Sequence, residues 1–230
     1  MRILAIDSSS MVATVAITTD GILNAEYTIN HKKTHSQTLL PMIAEIVKMI
    51  EIDMDSIDAV AITGGPGSYT GLRIGSATAK GIGLALNKPI INVPTMDALA
   101  YNLYSSQYVI CPIMDARRGQ VYTGIYKFEE TEMMIDELIK ELDTIKESVM
   151  FLGDGVDVHK QLIDDIMDTK HYYAPASMNR HKASTLGTIA EIYYKNGKTE
   201  TAKEHKPEYL RLSQAERELK AKMKEAKSDN

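Results

Sequence analysis

The sequence predicts an α/β protein of two similar lobes facing a cleft, and three observations carry that reading. Over residues 1–104 the hydrophobic patterning runs strand, strand, strand, helix, strand, helix, strand, helix. The rest of the chain again starts with strands and then alternates them with helices, a rough repetition of order without a residue-level repeat. Finally, 230 residues, 44% of them hydrophobic and 25% charged, with Gly 14 and Pro 7, suffice for one large domain or two small ones. They exclude the disordered, collagen and coiled-coil classes.

Arg2 to Asp7, Met11 to Thr18 and Ile22 to Asn30 are β-rich, and the turn formers Ser8-Ser9-Ser10 and Asp20-Gly21 separate them, which predicts two hairpins sharing a strand. From Ser36 to Glu51 the period becomes helical, with Leu39, Ile43, Ile46 and Ile50 on one face and Ser36 available as N-cap. Ala59 to Thr63 is a short apolar run that ends in Gly64-Gly65-Pro66-Gly67, after which Tyr69 to Leu86 reads as a second helix. Pro89 to Val93 supplies another strand and Thr95 to Tyr104 a short helix. Ser105-Ser106-Gln107 marks the boundary between a first lobe, residues 1–104, and a second, residues 105–212.

The second lobe opens with the apolar strand Tyr108 to Met114 and continues through Gln120 to Phe128, with the hairpin turn at Arg118-Gly119. Leu138, Leu142 and Ile145 give Ile135 to Lys146 helical spacing; Val149 to Gly153 reads as a buried strand, and Val156 to Met167 and Thr185 to Tyr194 as helices. Ser213-Gln214-Ala215-Glu216 is a capping box opening a highly charged segment. With little but Leu219 and Met223 for an apolar stripe, residues 213–230 read as a solvated helix or tail.

Composition narrows the function. One cysteine excludes an internal disulfide framework and any site built from several thiolates, and Cys111, inside an apolar strand with no evident base, reads as an inert core thiol. The opening apolar stretch is interrupted at Asp7, too short for a signal peptide or a membrane span, so a cytoplasmic protein without membrane attachment is expected. A net charge of −5 argues against the chain alone gripping a polyanion, and with Trp 0 and Phe 2 any base-stacking platform would be built from its tyrosines, Tyr 12.

The most informative stretch runs from Gly64 to Gly75, between a strand and a helix. Its glycines would let backbone N–H groups approach an anion at a helix N-terminus, and they serve a tight turn with close packing equally well. It is no Walker loop, and Thr70 stands where the dinucleotide pattern needs its third glycine. Gly71, Gly75, Ala79 and Gly83 recur every four residues as a small-residue ridge for close approach of another helix. Asp7, Ser8, Ser9 and Ser10 are turn formers that could also meet a metal-bound phosphate. With Gly64, Gly65 and Gly67 the first three of these make a weak nucleotide-binding candidate. His31 and His35 have the spacing of helical metal ligands but precede the helix, without the Glu-x-x of a zinc motif. Asp115, Arg117 and Arg118 fit either anion recognition or a solvated turn. Gly153-Asp154-Gly155 is a cleft loop or a helix entrance.

Taken together, MRILAIDSSS at the start, His35-Ser36 followed by Leu39-Leu40-Pro41, GGPGSYTGLRIG from Gly64, DARRGQVY from Asp115, the GDG from Gly153 and PEYLR from Pro207 resemble the TsaB family, also called YeaZ, over nearly the whole chain. The resemblance implies an actin-like, sugar-kinase-like (ASKHA) fold of two lobes, each a mixed sheet with flanking helices. It also implies a role in forming N6-threonylcarbamoyladenosine at position 37 of tRNAs that read codons starting with A. In such systems TsaC makes threonylcarbamoyl-AMP, and TsaD transfers the group to adenosine with help from TsaB and the ATPase TsaE.

Departures from the catalytic relative TsaD refine the expectation. Aligned on the short strand, the positions of its metal-binding His-x-x-x-His fall on Thr95 and Leu99. The chain is therefore expected to hold no metal, to bind ATP or ADP weakly if at all, and to act as a non-catalytic subunit that pairs with TsaD, helps recruit TsaE and meets tRNA only through the complex. A homodimer is expected when TsaD is absent. The expected contact surface is the first two helices, through Leu39, Leu40, Ile43 and Val47 on one and Gly71, Ile74, Gly75, Ala79 and Ile82 on the other. The alternative is an enzyme of this fold, a nucleotide-dependent phosphotransferase or a metallopeptidase. Missing phosphate loops and missing paired His or Glu ligands speak against these.

Overall fold

The computed structural model describes residues 1–126 and 131–210. The double hairpin forms as β1 (Arg2–Asp7), β2 (Val12–Thr19) and β3 (Ile22–Asn30). β4 (Ala59–Gly65) and β5 (Ile90–Pro94) extend the sheet on the other side of β1, in the order β3-β2-β1-β4-β5. β1 runs antiparallel to β2 and parallel to β4, and β4 parallel to β5. α1 (His35–Met49) joins β3 to β4, and α2 (Tyr69–Leu86) joins β4 to β5. Both faces of the sheet are covered, which is why β1 and β4 read as continuous apolar runs. Leu4, Ile6, Val60 and Ile62 meet Leu39, Met42, Ile43 and Ile46 of α1. Their neighbours Ile3, Ala5, Ala59 and Ala61 point the opposite way, as the two-residue period of a strand requires.

The second lobe repeats this plan. β6 (Val109–Arg117), β7 (Gln120–Thr123), β8 (Thr131–Met134), β9 (Val149–Leu152) and β10 (His171–Tyr173) form a sheet ordered β10-β9-β6-β7-β8 with the same pattern of directions. α4 (Ile135–Ile145) and α5 (Gly155–Ile166) take the places of α1 and α2. The third helices, α3 (Thr95–Ala100) and α6 (Ala183–Lys195), bind the lobes together. α6 packs Leu186, Ile189 and Ala190 onto Ile3, Ala5 and Ala16 of the first sheet, and a Cβ at Gly187 would lie only 2.9 Å from the Thr18 methyl. α3 gives Ala98 to that same cluster and Met96, Leu99 and Ala100 to a second one with Ile110, Met114 and Leu152.

After α6 the chain returns along the first lobe as a strap. Ile90 and Glu200 exchange N–H···O bonds of 2.9 Å, Ala202 enters the first core, and Lys80 Nζ donates to the His205 carbonyl at 2.9 Å. α6 and the strap, which the sequence places in the second lobe of residues 105–212, thus pack on the first lobe. Several element limits move as well. α1 starts at His35 with Thr34 as its N-cap, so Ser36 lies in the first turn and caps nothing. β7 stops at Thr123 instead of continuing to Phe128, and residues 127–130 lie outside the described residues. β8 and β10, with 4 and 3 residues, are unforeseen because so short a run has no readable period and becomes a strand only by pairing. The capping box and charged segment after it lie outside the described residues.

Candidate functional site

A cleft of about 690 Å³ lies between the lobes. Its walls come from the serine turn after β1, the N-termini of α1 and α2, the β6–β7 turn, Asp154, and Glu208 to Leu210 at the end of the strap. Gly67, Ser9 and Ser10 reach it, whereas Asp7, Ser8, Gly64 and Gly65 do not line it.

Asp7 is 1% exposed and fully engaged. One carboxylate oxygen accepts from the Ser9 N–H at 2.9 Å and the Ser9 hydroxyl at 2.7 Å; the other faces His181 Nδ1 at 3.0 Å. Burial alone would push the Asp7 carboxyl up, but the charge of His181 and the hydrogen bonds from His181 and Ser9 hold it below its usual range. Burial would likewise lower His181, and Asp7 outweighs it, raising the imidazole toward its charged form. The serines hold helices in place. Ser8 Oγ donates to the Gly71 carbonyl at 2.9 Å, the Ser9 carbonyl accepts from the Ser68 N–H at 2.6 Å, and His35 Nε2 donates to the Ser10 carbonyl at 2.8 Å.

The glycine-rich turn is filled by the chain itself. A Cβ at Gly65, whose φ is +136°, would stand 2.2 Å from the Glu208 carbonyl oxygen, and the Glu208 N–H donates to the Gly64 carbonyl at 2.7 Å. Beside it Tyr209 packs on Tyr69 with ring centroids 4.8 Å apart, and the Arg73 guanidinium lies 4.4 Å over Tyr69. The close packing read from these glycines is realised. The polar groups of Asp7 and Ser8 and the space beside Gly64 and Gly65 are taken by His181, Gly71 and Glu208.

On the other wall, Asp115 accepts the Arg117 N–H at 2.9 Å and pairs with its guanidinium at 3.1 Å, while its own N–H goes to Asp154. Arg118 is exposed. Gly153 is a close-approach position: a Cβ there would meet the Ile113 carbonyl oxygen at 2.1 Å. Its N–H donates to Asn179 at 2.7 Å and its carbonyl accepts from Arg180, which also pairs with Asp157. Thr95 and Leu99 are wholly buried. Cys111 is buried too, its thiol pushed up to about 12 by burial. Among the described residues no group of three or more His, Cys, Asp or Glu could hold a metal, and no helix is long and apolar enough to cross a membrane.

The α1/α2 face needs a correction of its own. Leu39 and Ile43 belong to the core, and the ridge faces inward: a Cβ at Gly71 would sit 2.0 Å from the Ser8 carbonyl oxygen, one at Gly75 would sit 2.3 Å from Ser8 Oγ, and Ala79 is fully buried. Five of the nine residues expected at the partner surface thus support the lobe from within. Val47, Ile74 and Ile82 are half-buried, and Leu40 and Met49 stand out at 58% and 71% exposure. Ala77, Gly81 and Ala85 make the outward ridge of α2.

Sequence reasoning missed His181 and Glu208. Nothing in the sequence links His181 to an aspartate 174 residues away. Glu208 does lie in the PEYLR motif, whose position against the glycine turn depends on the strap.

A family model described as TsaD, tRNA N6-adenosine threonylcarbamoyltransferase, matches residues 23–219. The chain is 34% identical to the tRNA threonylcarbamoyladenosine biosynthesis protein TsaB of Bacillus subtilis, covering 94% of this chain and 96% of that one. It is 30% identical to the Escherichia coli protein of the same name, covering 96% and 100%. Among solved structures, YeaZ from Pseudomonas aeruginosa superposes with a TM-score of 0.73 at 24% identity, over 91% of this chain and 99% of that one. The ADPNP-bound activator of 2-hydroxyisocaproyl-CoA dehydratase from Clostridium difficile gives 0.50 at 13%, over 93% and 100%. These likenesses and the duplicated sheets identify the two-lobed, actin-like ASKHA fold.

Proposed function

Because the chain belongs to the TsaB family and so to the machinery of tRNA threonylcarbamoyladenosine formation, we propose that it serves there as a non-catalytic subunit that pairs with TsaD, helps recruit TsaE and meets tRNA only within the complex. The carrying observation is the self-filled turn. His181 engages Asp7 and the Glu208 carbonyl lies against Gly65, so atoms of the chain occupy the surroundings in which a phosphate would be held. Affinity for ATP or ADP is correspondingly weak. What remains open to a partner is the outer side of α1 and α2, where Leu40 is exposed and Val47, Ile74 and Ile82 are partly so, with the exposed Met49 on the opposite flank of α1. Exposed apolar side chains on a helix surface favour association. The same surface pairs two copies when TsaD is absent, as a self-complementary twofold contact.

Leu40→Lys with Met49→Lys tests this reading. Both side chains are exposed, so circular dichroism melts should stay near wild type while capture of TsaD and modification of tRNA by the reconstituted system fall together. A double variant that still captures TsaD with wild-type affinity places the contact elsewhere. Group transfer by the isolated chain without TsaD would overturn the non-catalytic assignment.

A further inference from the structure

The net charge of −5 hides an uneven distribution. Two segments far apart in sequence meet at the cleft mouth, the loop carrying Lys32 and Lys33 before α1 and the turn carrying Arg117 and Arg118 between β6 and β7. All four side chains are exposed, and of these Arg117 is paired with Asp115. The N-termini of α1 and α2 open on the same mouth, and neither has an acidic residue in its first turn. Their positive dipole ends add to the local potential. His35, at the start of α1, donates through Nε2 to Ser10, and its buried Nδ1 has no partner among the described residues. Of the carboxylates lining the mouth, Asp115 is paired with Arg117, while Asp154 and Glu208 bond only to neutral amide groups and keep their charge opposite Lys32, Lys33 and Arg118.

We infer that this mouth is a contact surface for the phosphodiester backbone of RNA, with Lys32, Lys33 and Arg118 as its principal cations. The inference rests on the proposed partner role, which puts a tRNA within the complex. The geometry favours a polymer over a small nucleotide. The cations stand at an exposed rim, whereas the inner positions that would grip a single triphosphate are closed by His181 and Glu208. Exposed Lys and Arg at intervals, helped by helix N-termini, are the means by which proteins position a nucleic-acid backbone without reading its sequence.

The test uses the reconstituted complex of this chain with TsaD and an unmodified anticodon stem-loop RNA. Lys32→Glu, Lys33→Glu and Arg118→Glu are combined in one variant; Lys140→Glu, Lys146→Glu and Lys170→Glu, remote from the cleft, form the matched control. The cleft variant should weaken RNA binding about tenfold or more and reduce the steepness of its salt dependence by roughly one for each phosphate no longer neutralised, while the control stays near wild type. Equal losses in both variants would mean bulk charge alone and would overturn the assignment. So would a polyglutamate peptide that competes as well as RNA of equal charge, which would make the mouth an acidic-peptide site, or ATP that displaces the RNA at micromolar concentration. TsaD capture is measured in parallel. If the wild-type chain captures no TsaD, the partner reading fails, and the RNA comparison is then decided on the chain alone.

Discussion

Asp7 and His181 illustrate how a residue acquires a role through the fold. Removing either partner leaves the other buried and uncompensated, so His181→Ala or Asp7→Asn should cost about 3 to 5 kcal/mol in urea unfolding. The pH dependence has a definite sign. His181 has a folded pKa raised above 6.5, so its contribution is complete below that pH and is lost as pH rises through the folded value. Asp7 has a folded pKa below 3.8, so its contribution is complete above 3.8 and is lost as pH falls through the folded value. In Asp7→Asn the imidazole loses its counter-charge, burial lowers it, and the stability gap to wild type should narrow as pH rises. A gap that stays constant from about pH 5 to about pH 9 would show that the pair is not charged.

At the scale of elements, α2 carries two ridges of small residues with opposite tasks. Gly71 and Gly75 let the helix approach the serine turn, and Gly83 lets Ile90 of β5 and Ala202 of the strap close in, with Cβ distances of 2.8 and 3.1 Å. Gly81 faces open space. Gly71→Ala should therefore destabilise by about 1 to 3 kcal/mol, because its methyl meets a backbone carbonyl that cannot rotate away. Gly81→Ala should stabilise by about 0.5 to 1 kcal/mol through helix propensity alone. Urea titrations of the two variants give opposite shifts of midpoint if the ridges face as described. Shifts of the same sign would mean that the helix is rotated.

For the whole molecule, the position of α6 predicts that the lobes are not independent. Leu186, Ile189 and Ala190 cover one face of the first sheet, so a fragment of residues 1–104 would expose Ile3, Ala5, Ala61 and Ile91 to water. The fragment should bind a hydrophobic dye and melt without a sharp transition, whereas the full chain unfolds in one cooperative step. A fragment with its own sharp melt would show that the first lobe is complete without α6.

Much of this architecture was legible in the sequence. Regular apolar periods located β1 to β5, α1 and α2 within a few residues, since those segments are long enough for burial on fixed faces to leave a pattern. The turn chemistry of Asp20-Gly21 and Arg118-Gly119 placed both hairpins. The block from Gly64 to Gly75 marked the place where the chain comes closest to itself. What the sequence could not supply was which atoms fill that place. Glycine spacing records that something approaches, and a phosphate, a neighbouring helix and the chain's own Glu208 leave the same mark. Tertiary structure decided it, because the strap and His181 are separated from the first lobe's strands by the whole second sheet in the chain, and contacts across that separation leave no local period to read.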